Sequence, residues 1–531
     1  MWSTMERILN YYADIYFPIK KFKKKPSKNT IWLNLEIQKE IEIKNMLLLK
    51  AKKSKDRNDI KLAHKKRNHV NRLIKNAKKN YYKDKLNENI KNSKDIWKFI
   101  RELFPNKNNS DKIQLFDSNN ELIDQDSLPD HINEFFNSVG KSENSEFLPQ
   151  YGPHPQPLLV FRPVTVNMVI ELIQKINVTK SSSVPNLPSK ILKAAFLSCP
   201  NVITYLFNQC ILRNIIPDDW KSATVIPIKK VSNCKSVNDL RPISLIPLPC
   251  KLLEKIIYTQ CIKHLKENQF LDENQFGFQQ NSSTISAISE LTDDISFSIE
   301  KKFPTIATFI DFTKAFDKLN HKILLQKLKF FGFSDMAIKF FENYLSNRKQ
   351  TTLINNIKSK PLIISHGVPQ GSNVGPLLFL LYINDIGLYL KNTKFKLFAD
   401  DTTLYHSHSD IKTCINELKN DLKNIEIWCK NNNMEINAKK TKVMIFGNRN
   451  MIKKHNNIII KLNEKNLQTV PTFKYLGFNL DSTLSYNQHV NIVSRNAHHK
   501  LYQLKRINAY LTEDTSLMIF KSYILPILDL Q

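Results

Sequence analysis

A chain of 531 residues has room for two to four domains, or for one large core with appendages. Apolar residues make up 41% and charged residues 24%, ordinary globular usage that excludes wholesale disorder, a collagen-like chain and a disulfide scaffold. Lys and Arg number 79 against 49 Asp and Glu, and a net charge of +30 points to a polyanionic partner, nucleic acid ahead of an anionic membrane surface.

The charge is concentrated at the start. Residues 1–110 hold 29 basic and 11 acidic residues, so +18 of the +30 lies in this basic arm. From Ile31 to Leu103 there is no Gly or Pro. Apolar residues recur there at helical spacing (Ile37, Ile41; Leu62, Val70, Leu73, Ile74, Ala77; Ile96, Phe99, Ile100, Leu103), which predicts two or three long helices with lysine on their other faces. Those faces read either as nucleic-acid contacts or as solvated surface in a chain rich in Lys, Asn and Ile. Between Leu148 and Pro163 stand five prolines and Gly152, a stretch incompatible with helix interior. Residues 111–165 are therefore read as a linker.

After it come helix-like segments at Val166–Ile176, Leu187–Leu197 and Val202–Arg213, a short strand at Ala223–Ile228, and a helix from Cys250 to Leu265. From Phe303 onward short strands alternate with helices, so the fold class is α+β. The longest nearly unbroken apolar run, Val374 to Ile383, is about half a membrane span, and the N-terminus has no apolar signal core. The expectation is an intracellular protein without a membrane partner. Seven Cys with no C-x-x-C pair suit reduced thiols and imply no structural metal.

Only 10 glycines occur in 531 residues, far below the usual ~7%, so each marks a place that needs one. Three fall within nine residues, Gly367-Val-Pro-Gln-Gly371-Ser-Asn-Val-Gly375, just before an apolar helix pattern. That placement suits backbone approaching a ligand or turning with positive φ. In Ile306-Ala-Thr-Phe-Ile310-Asp311 a β-branched run ends in a carboxylate, placing Asp311 at a strand end. In Phe395-Lys-Leu-Phe-Ala399-Asp400-Asp401-Thr-Thr-Leu-Tyr405 two half-strands flank an acid pair, the pattern of a hairpin with Asp400 and Asp401 at its tip. Adjacent carboxylates repel unless a cation lies between them, and a divalent metal resolves this. Turn chemistry for the pair and a helix N-cap role for Asp311 explain each motif singly.

In this order the motifs resemble the reverse transcriptases of non-LTR retrotransposons of the jockey type. The resemblance is carried by Leu240-Arg-Pro-Ile-Ser244, Gln275-Phe-Gly-Phe278, Phe309-Ile-Asp-Phe-Thr-Lys-Ala-Phe-Asp317, Gly367-Val-Pro-Gln-Gly-Ser372, Phe398-Ala-Asp-Asp401, the Asn437–Thr441 segment and Phe473-Lys-Tyr-Leu-Gly-Phe478. It implies a right-hand polymerase behind the basic helical arm: fingers and palm over 166–480, with a core at about 210–480, and a partial thumb over 481–531. It further implies an RNA-directed DNA polymerase that adds dNTPs to a primer 3′-hydroxyl, with an RNA template and a DNA primer or target as partners, in the cytoplasm and nucleus.

By the same resemblance Asp311, Asp400 and Asp401 hold two Mg²⁺ ions, Mn²⁺ being an alternative, with the backbone carbonyl of Phe312 as a further oxygen donor. Arg241, with Lys229 or Lys230, matches the family's triphosphate-binding cations. Phe316 matches the aromatic wall that excludes a ribose 2′-hydroxyl, although its spacing equally suits a core residue on a helix. Gln370 and Gly371 match the loop against incoming nucleotide and template. Lys440 matches the group that neutralises or protonates pyrophosphate, and Tyr475-Leu476-Gly477 matches the primer grip. Two departures stand out: Ser372-Asn373-Val374-Gly375-Pro376 replaces the family's usual Ser-Val-Leu-Gly-Pro, and Ser183-Val-Pro-Asn186 stands where a Gly-Asp turn is common. Nothing upstream of the arm could encode the endonuclease such elements usually carry, and the thumb-like sequence stops at Gln531, so a fragment or degenerate copy is expected. The alternatives are a catalytically inactive nucleic-acid-binding remnant and an RNA-dependent RNA polymerase, which would not favour an aromatic at Phe316.

Overall fold

The computed structural model describes residues 2–17, 32–89, 95, 97–99, 101, 113–116, 120–140, 158–179, 187–455, 458–462, 464–508 and 511–529. Ser183–Asn186 and four of the five linker prolines lie outside the described residues. Compactness divides the chain into two units, residues 1–19 with 111–485 and residues 20–110 with 486–531. Both differ from the expected boundaries, because each unit joins segments far apart in sequence.

The larger unit is built on two sheets. In the first, the strands β3 (Thr305–Asp311), β7 (Lys394–Phe398), β8 (Asp401–Ser407), β9 (Lys442–Phe446) and β12 (Gln468–Thr469) lie in the order β12-β9-β3-β8-β7. Its middle strand β3 is buried on both faces until Asp311, as its continuous β-branched and apolar run requires. The helices Thr284–Glu300 and Ile411–Asn431 pack against it. The second sheet has the order β2-β1-β4-β5, from β1 (Ser222–Lys229), β2 (Leu240–Leu245), β4 (Arg348–Ile354) and β5 (Ile357–Lys358), with β6 (Leu362–Ile364) also paired to β4. β1 and β2 are antiparallel, with Ile228 opposite Arg241. The fold is thus mixed helix and sheet, as the α+β reading expects. The helices Val166–Gln174, Ser189–Ser198, Pro200–Arg213 and Leu248–Glu267 fall where the apolar spacing puts them.

Three features were hidden from the linear pattern. The helix Trp2–Tyr16, part of the expected arm, packs on the larger unit through Trp2, whose ring meets Trp220 edge-on at 5.3 Å. Residues 113–116 and 120–140, read as linker, bury Leu115, Leu128 and Ile132 against Val237, Leu240 and Ile354, and Asn133 Oδ1 accepts from Gln350 Nε2 at 2.9 Å and from Thr352 Oγ1 at 3.1 Å. Lys327 is wholly buried, donating to Asp385 Oδ1 at 2.7 Å and to the Tyr382 carbonyl, while Trp428 Nε1 donates to the same Asp385 oxygen at 2.9 Å. A lysine enters a core only with such partners. The apolar run is realised as the buried helix Gly375–Ile383, begun by Pro376. No single helix among the described residues is long and apolar enough to cross a membrane.

In the smaller unit the helices Leu35–Ser54 and Arg57–Asn89 pack side by side, joined through a left-handed Lys55. Asn34 caps the first by accepting the Ile37 N–H at 2.9 Å. Ile37, Ala51, Ala63 and Val70 form their buried face, whereas Leu62, counted as core from its spacing, is exposed. The unit also contains Asn487–Ile507, Glu513–Ile519 and Leu525–Asp529.

Candidate active site

The rim of the first sheet gathers the three aspartates. Asp311 ends β3 directly opposite Asp401, the first residue of β8, and Asp401 also pairs with Phe398 of β7. Asp400 lies between, in a two-residue turn with Ala399, whose φ of 57° is left-handed. The end of β3 is tied down on its other side. Asn437 N–H donates to the Asp311 carbonyl at 2.8 Å, and Asp311 N–H donates to Thr441 Oγ1 at 3.3 Å. Lys440, between these two anchors, carries its Nζ to 3.7 Å from Asp311 Oδ2. Lys442 instead donates to the Lys439 carbonyl and to Gln468, both at 2.7 Å.

The electrostatics are those of crowded like charges. Burial raises the Asp400 carboxyl above its ordinary range and the Asp311 charge adds to this, while Arg241 and Lys440 oppose it. Asp401 is pushed up to about 6 by burial, then by Asp400 and Asp311. Burial likewise raises Asp311, against the opposing charges of Lys440 and Lys230. Facing them is a group of cations: partial burial and then the neighbouring charges of Lys440 and Arg241 hold Lys230 below its usual range. Lys229, one residue earlier, acts electrostatically on Cys234, whereas Lys230 acts on Asp311.

The glycine-poor chain uses its glycines to close a loop over this rim. Gly371 has φ of 131°, and Ser244 N–H of β2 donates to the Gln370 carbonyl at 2.8 Å. Gln370 Nε2 donates to Asp317 at 2.8 Å, and Val368 N–H donates to the Phe316 carbonyl at 3.0 Å. Phe316 is half-buried, stacked on Phe379 at 4.3 Å and met edge-on by Phe278 at 6.3 Å. The Phe312 ring is buried near Trp428, at 6.0 Å, which leaves its backbone as the part that can serve the rim. Tyr475 is buried on Phe309 at 5.3 Å and ends β13 (Thr472–Tyr475), which turns through Leu476 and Gly477, both with positive φ, into β14 (Phe478–Asp481). Two such residues make the tight turn that suits strand twist.

Sequence reasoning passed over three residues of this assembly. Asp317 holds Gln370, and its place six residues after Asp311 in the quoted motif was the available signal. Glu254, buried in the helix Leu248–Glu267, accepts from Tyr344 Oη and from Asn373 N–H, each at 2.7 Å, and burial raises its carboxyl. Asn373, the departure in the glycine loop, also donates through Nδ2 to the Lys251 carbonyl at 2.7 Å, so it latches the loop to that helix. Nothing in the local pattern marks Glu254. The third is Gln275, whose side chain reaches the Ala399 turn.

The donor chemistry of the rim fits a hard divalent cation: three carboxylates raised by burial, Asp400 and Asp401 also by neighbouring acids, with nearby positive charge opposing the rise at Asp311 and Asp400 and none doing so at Asp401. Among the described residues no three His, Cys, Asp or Glu side chains converge into a ready-made metal cage.

Residues 228–480 match the family described as reverse transcriptase (RNA-dependent DNA polymerase). The chain is similar to a probable RNA-directed DNA polymerase from transposon BS of Drosophila melanogaster, 28% identical over 355 residues, covering 65% of this chain and 39% of that protein. It is similar also to the RNA-directed DNA polymerase from mobile element jockey of the same organism, 26% identical over 376 residues, 69% of this chain and 40% of the relative. The chain thus spans about two fifths of the length of these curated relatives.

Proposed function

We propose that this chain, whose residues 228–480 match the reverse transcriptase family and which is similar to the polymerases of transposon BS and mobile element jockey, is an RNA-directed DNA polymerase of a jockey-type, non-LTR element, adding dNTPs to a primer 3′-hydroxyl on an RNA template. The observation that carries this reading is the register of β3 and β8, which sets Asp311 opposite Asp401 with Asp400 in the adjoining turn, faced by Lys230, Arg241 and Lys440. The first sheet and its helices are the palm, the second sheet the fingers, and the helices from Asn487 to Asp529 the start of a thumb. The helices Leu35–Asn89 form a basic arm whose lysine faces contact nucleic acid phosphates. Such a protein works in the cytoplasm and nucleus, where RNA template and DNA target are met.

Asp311, Asp400 and Asp401, with the Phe312 carbonyl, hold the divalent ions. Bound there, a pair of Mg²⁺ or Mn²⁺ ions supplies Lewis-acid activation and charge neutralisation for nucleotidyl transfer. Lys230 and Arg241 bind the triphosphate, and Lys440 stands where it can neutralise or protonate the departing pyrophosphate. Gln370 and Gly371 line the nucleotide, with Gln370 fixed by Asp317. The Tyr475 turn grips the primer. Phe316, braced by Phe379, forms the wall beside the sugar.

Primer extension on an RNA template with dNTPs and Mg²⁺ tests the reading directly. The Phe316→Ala variant refines it: removing the wall raises the ratio of ribonucleotide to deoxyribonucleotide incorporation, because the 2′-hydroxyl is what separates the two substrates there. Truncation of a core Phe would depress both substrates alike through a ~3–5 kcal/mol loss of stability. A folded variant with an unchanged ratio removes the wall role and returns the RNA polymerase alternative.

A further inference from the structure

We propose that Gln275 is a positioning residue for the hairpin that carries Asp400, acting through the backbone of Ala399; the inference rests on the polymerase reading for its catalytic consequence, not for its geometry. Gln275 is 1% exposed. Its Oε1 accepts two backbone N–H groups, from Gly277 at 2.9 Å and from Ala399 across the hairpin at 3.1 Å. The segment around it is bonded to β7 as well. Phe276 N–H donates to the Leu397 carbonyl at 2.8 Å, and Leu397 N–H donates to the Asn274 carbonyl at 2.9 Å. Residues 274–277 therefore grip the strand immediately before the acid pair at three points.

The need for such a grip lies in Ala399. Its φ of 57° is a conformation that residues with a Cβ rarely adopt, and it persists only where the surroundings over-determine it. A left-handed Ala399 turns its N–H inward, and Gln275 is the acceptor that receives it. Gly277 makes the approach feasible, since a Cβ built there would overlap the Ala399 nitrogen. Without the acceptor, the turn can relax toward ordinary φ, and the next residue, Asp400, changes direction relative to Asp311 and Asp401. The other end of the side chain is idle: Gln275 Nε2 is buried with no hydrogen-bond partner among the described residues. The carbonyl end alone does the positioning, which separates this role from general packing.

The experiment compares Gln275→Met, which keeps the shape and removes the acceptor, with Gln275→Glu, which keeps an acceptor, in the full chain. Gln275→Met should raise hydrogen exchange at the Ala399 amide by ~10-fold or more while β8 stays protected, and lower kcat ~30-fold with the dNTP KM within ~3-fold. Adding Ala399→Gly to it should restore part of the lost kcat, about 5-fold, because glycine holds the left-handed turn unaided. Gln275→Glu should retain Ala399 protection and recover most of the rate lost in the Met variant. A folded Met variant with wild-type exchange and wild-type kcat overturns the proposal, as does loss of protection in the Glu variant. Should Gln275→Met fail to fold, the Glu variant alone decides through the exchange of Ala399. If wild type extends no primer yet the exchange difference is present, the positioning contact stands and the polymerase reading falls; if wild type extends primers and neither readout moves, the reverse holds.

Discussion

Asp421, wholly buried in the helix Ile411–Asn431, accepts hydrogen bonds from the N–H groups of Lys391, Asn392 and Thr393 and from Thr393 Oγ1, at 2.8–3.2 Å. Burial works to raise its carboxyl, but the Asn392, Thr393 and Lys391 donors together hold it below the ordinary range. Asp311, Asp400 and Asp401 are the same side chain at the rim of the first sheet, and there burial raises all three, with neighbouring acids adding to it at Asp400 and Asp401. One region brings donors to its acid and so binds a loop to a helix. The other brings acid to acid and stores a demand for positive charge. Function is concentrated where the folded chain leaves carboxylates dissatisfied, stability where it satisfies them.

The contrast breaks most visibly at Asp400. Asp400→Asn is expected to reduce primer extension by ~1,000-fold or more while leaving the thermal melt unchanged or slightly higher, since it removes a metal ligand and no core volume. Wild-type extension by this variant would remove the assignment. Asp421→Ala should do the opposite: it strands buried N–H groups and costs ~3 kcal/mol in a denaturant titration, with the specific activity of the folded fraction preserved. A variant as stable as wild type would show that the donors find other partners.

Asp401→Asn sharpens the comparison through pH. The folded carboxyl titrates at about 6, above the unfolded value of 3.8, so the unfolded chain ionises first and stability falls as pH rises between the two. In EDTA the Asn variant should therefore match wild type below about pH 4 and exceed it above about pH 6, by ~1 kcal/mol, a modest figure because solvent at the rim screens the charge. Parallel pH profiles for the two proteins would mean that the rim carries no such strain.

The rim was legible because an acid interrupts a β-branched run at Asp311, and because two half-strands enclose Asp400 and Asp401. The glycine loop showed through scarcity of glycine elsewhere. What stayed hidden depends on register and on partners far away in the chain. That Lys229 pairs with Leu240 while Lys230 acts on Asp311 is a matter of register that the local pattern does not give. Glu254 reads as an ordinary charged position in a helix until Asn373, 119 residues later, is brought to it. In the arm, Ala63 rather than the larger Leu62 faces inward, so residue size misdirected the helical phase. The Trp2 helix joins the larger unit through an aromatic contact to Trp220 that no local pattern announces.

The buried Lys327 has a consequence in time. Its carboxylate partner Asp385 lies 58 residues further along, and Trp428, which shares that carboxylate, a further 43. During synthesis at ~5–20 residues per second, the lysine emerges roughly 5–20 s before the last member of its trio. Until then its ammonium remains in water, the helix His321–Phe330 cannot be sealed, and the wholly apolar helix Gly375–Ile383 is made while its covering is incomplete. For that interval the nascent chain carries an apolar segment whose partners have not yet been made.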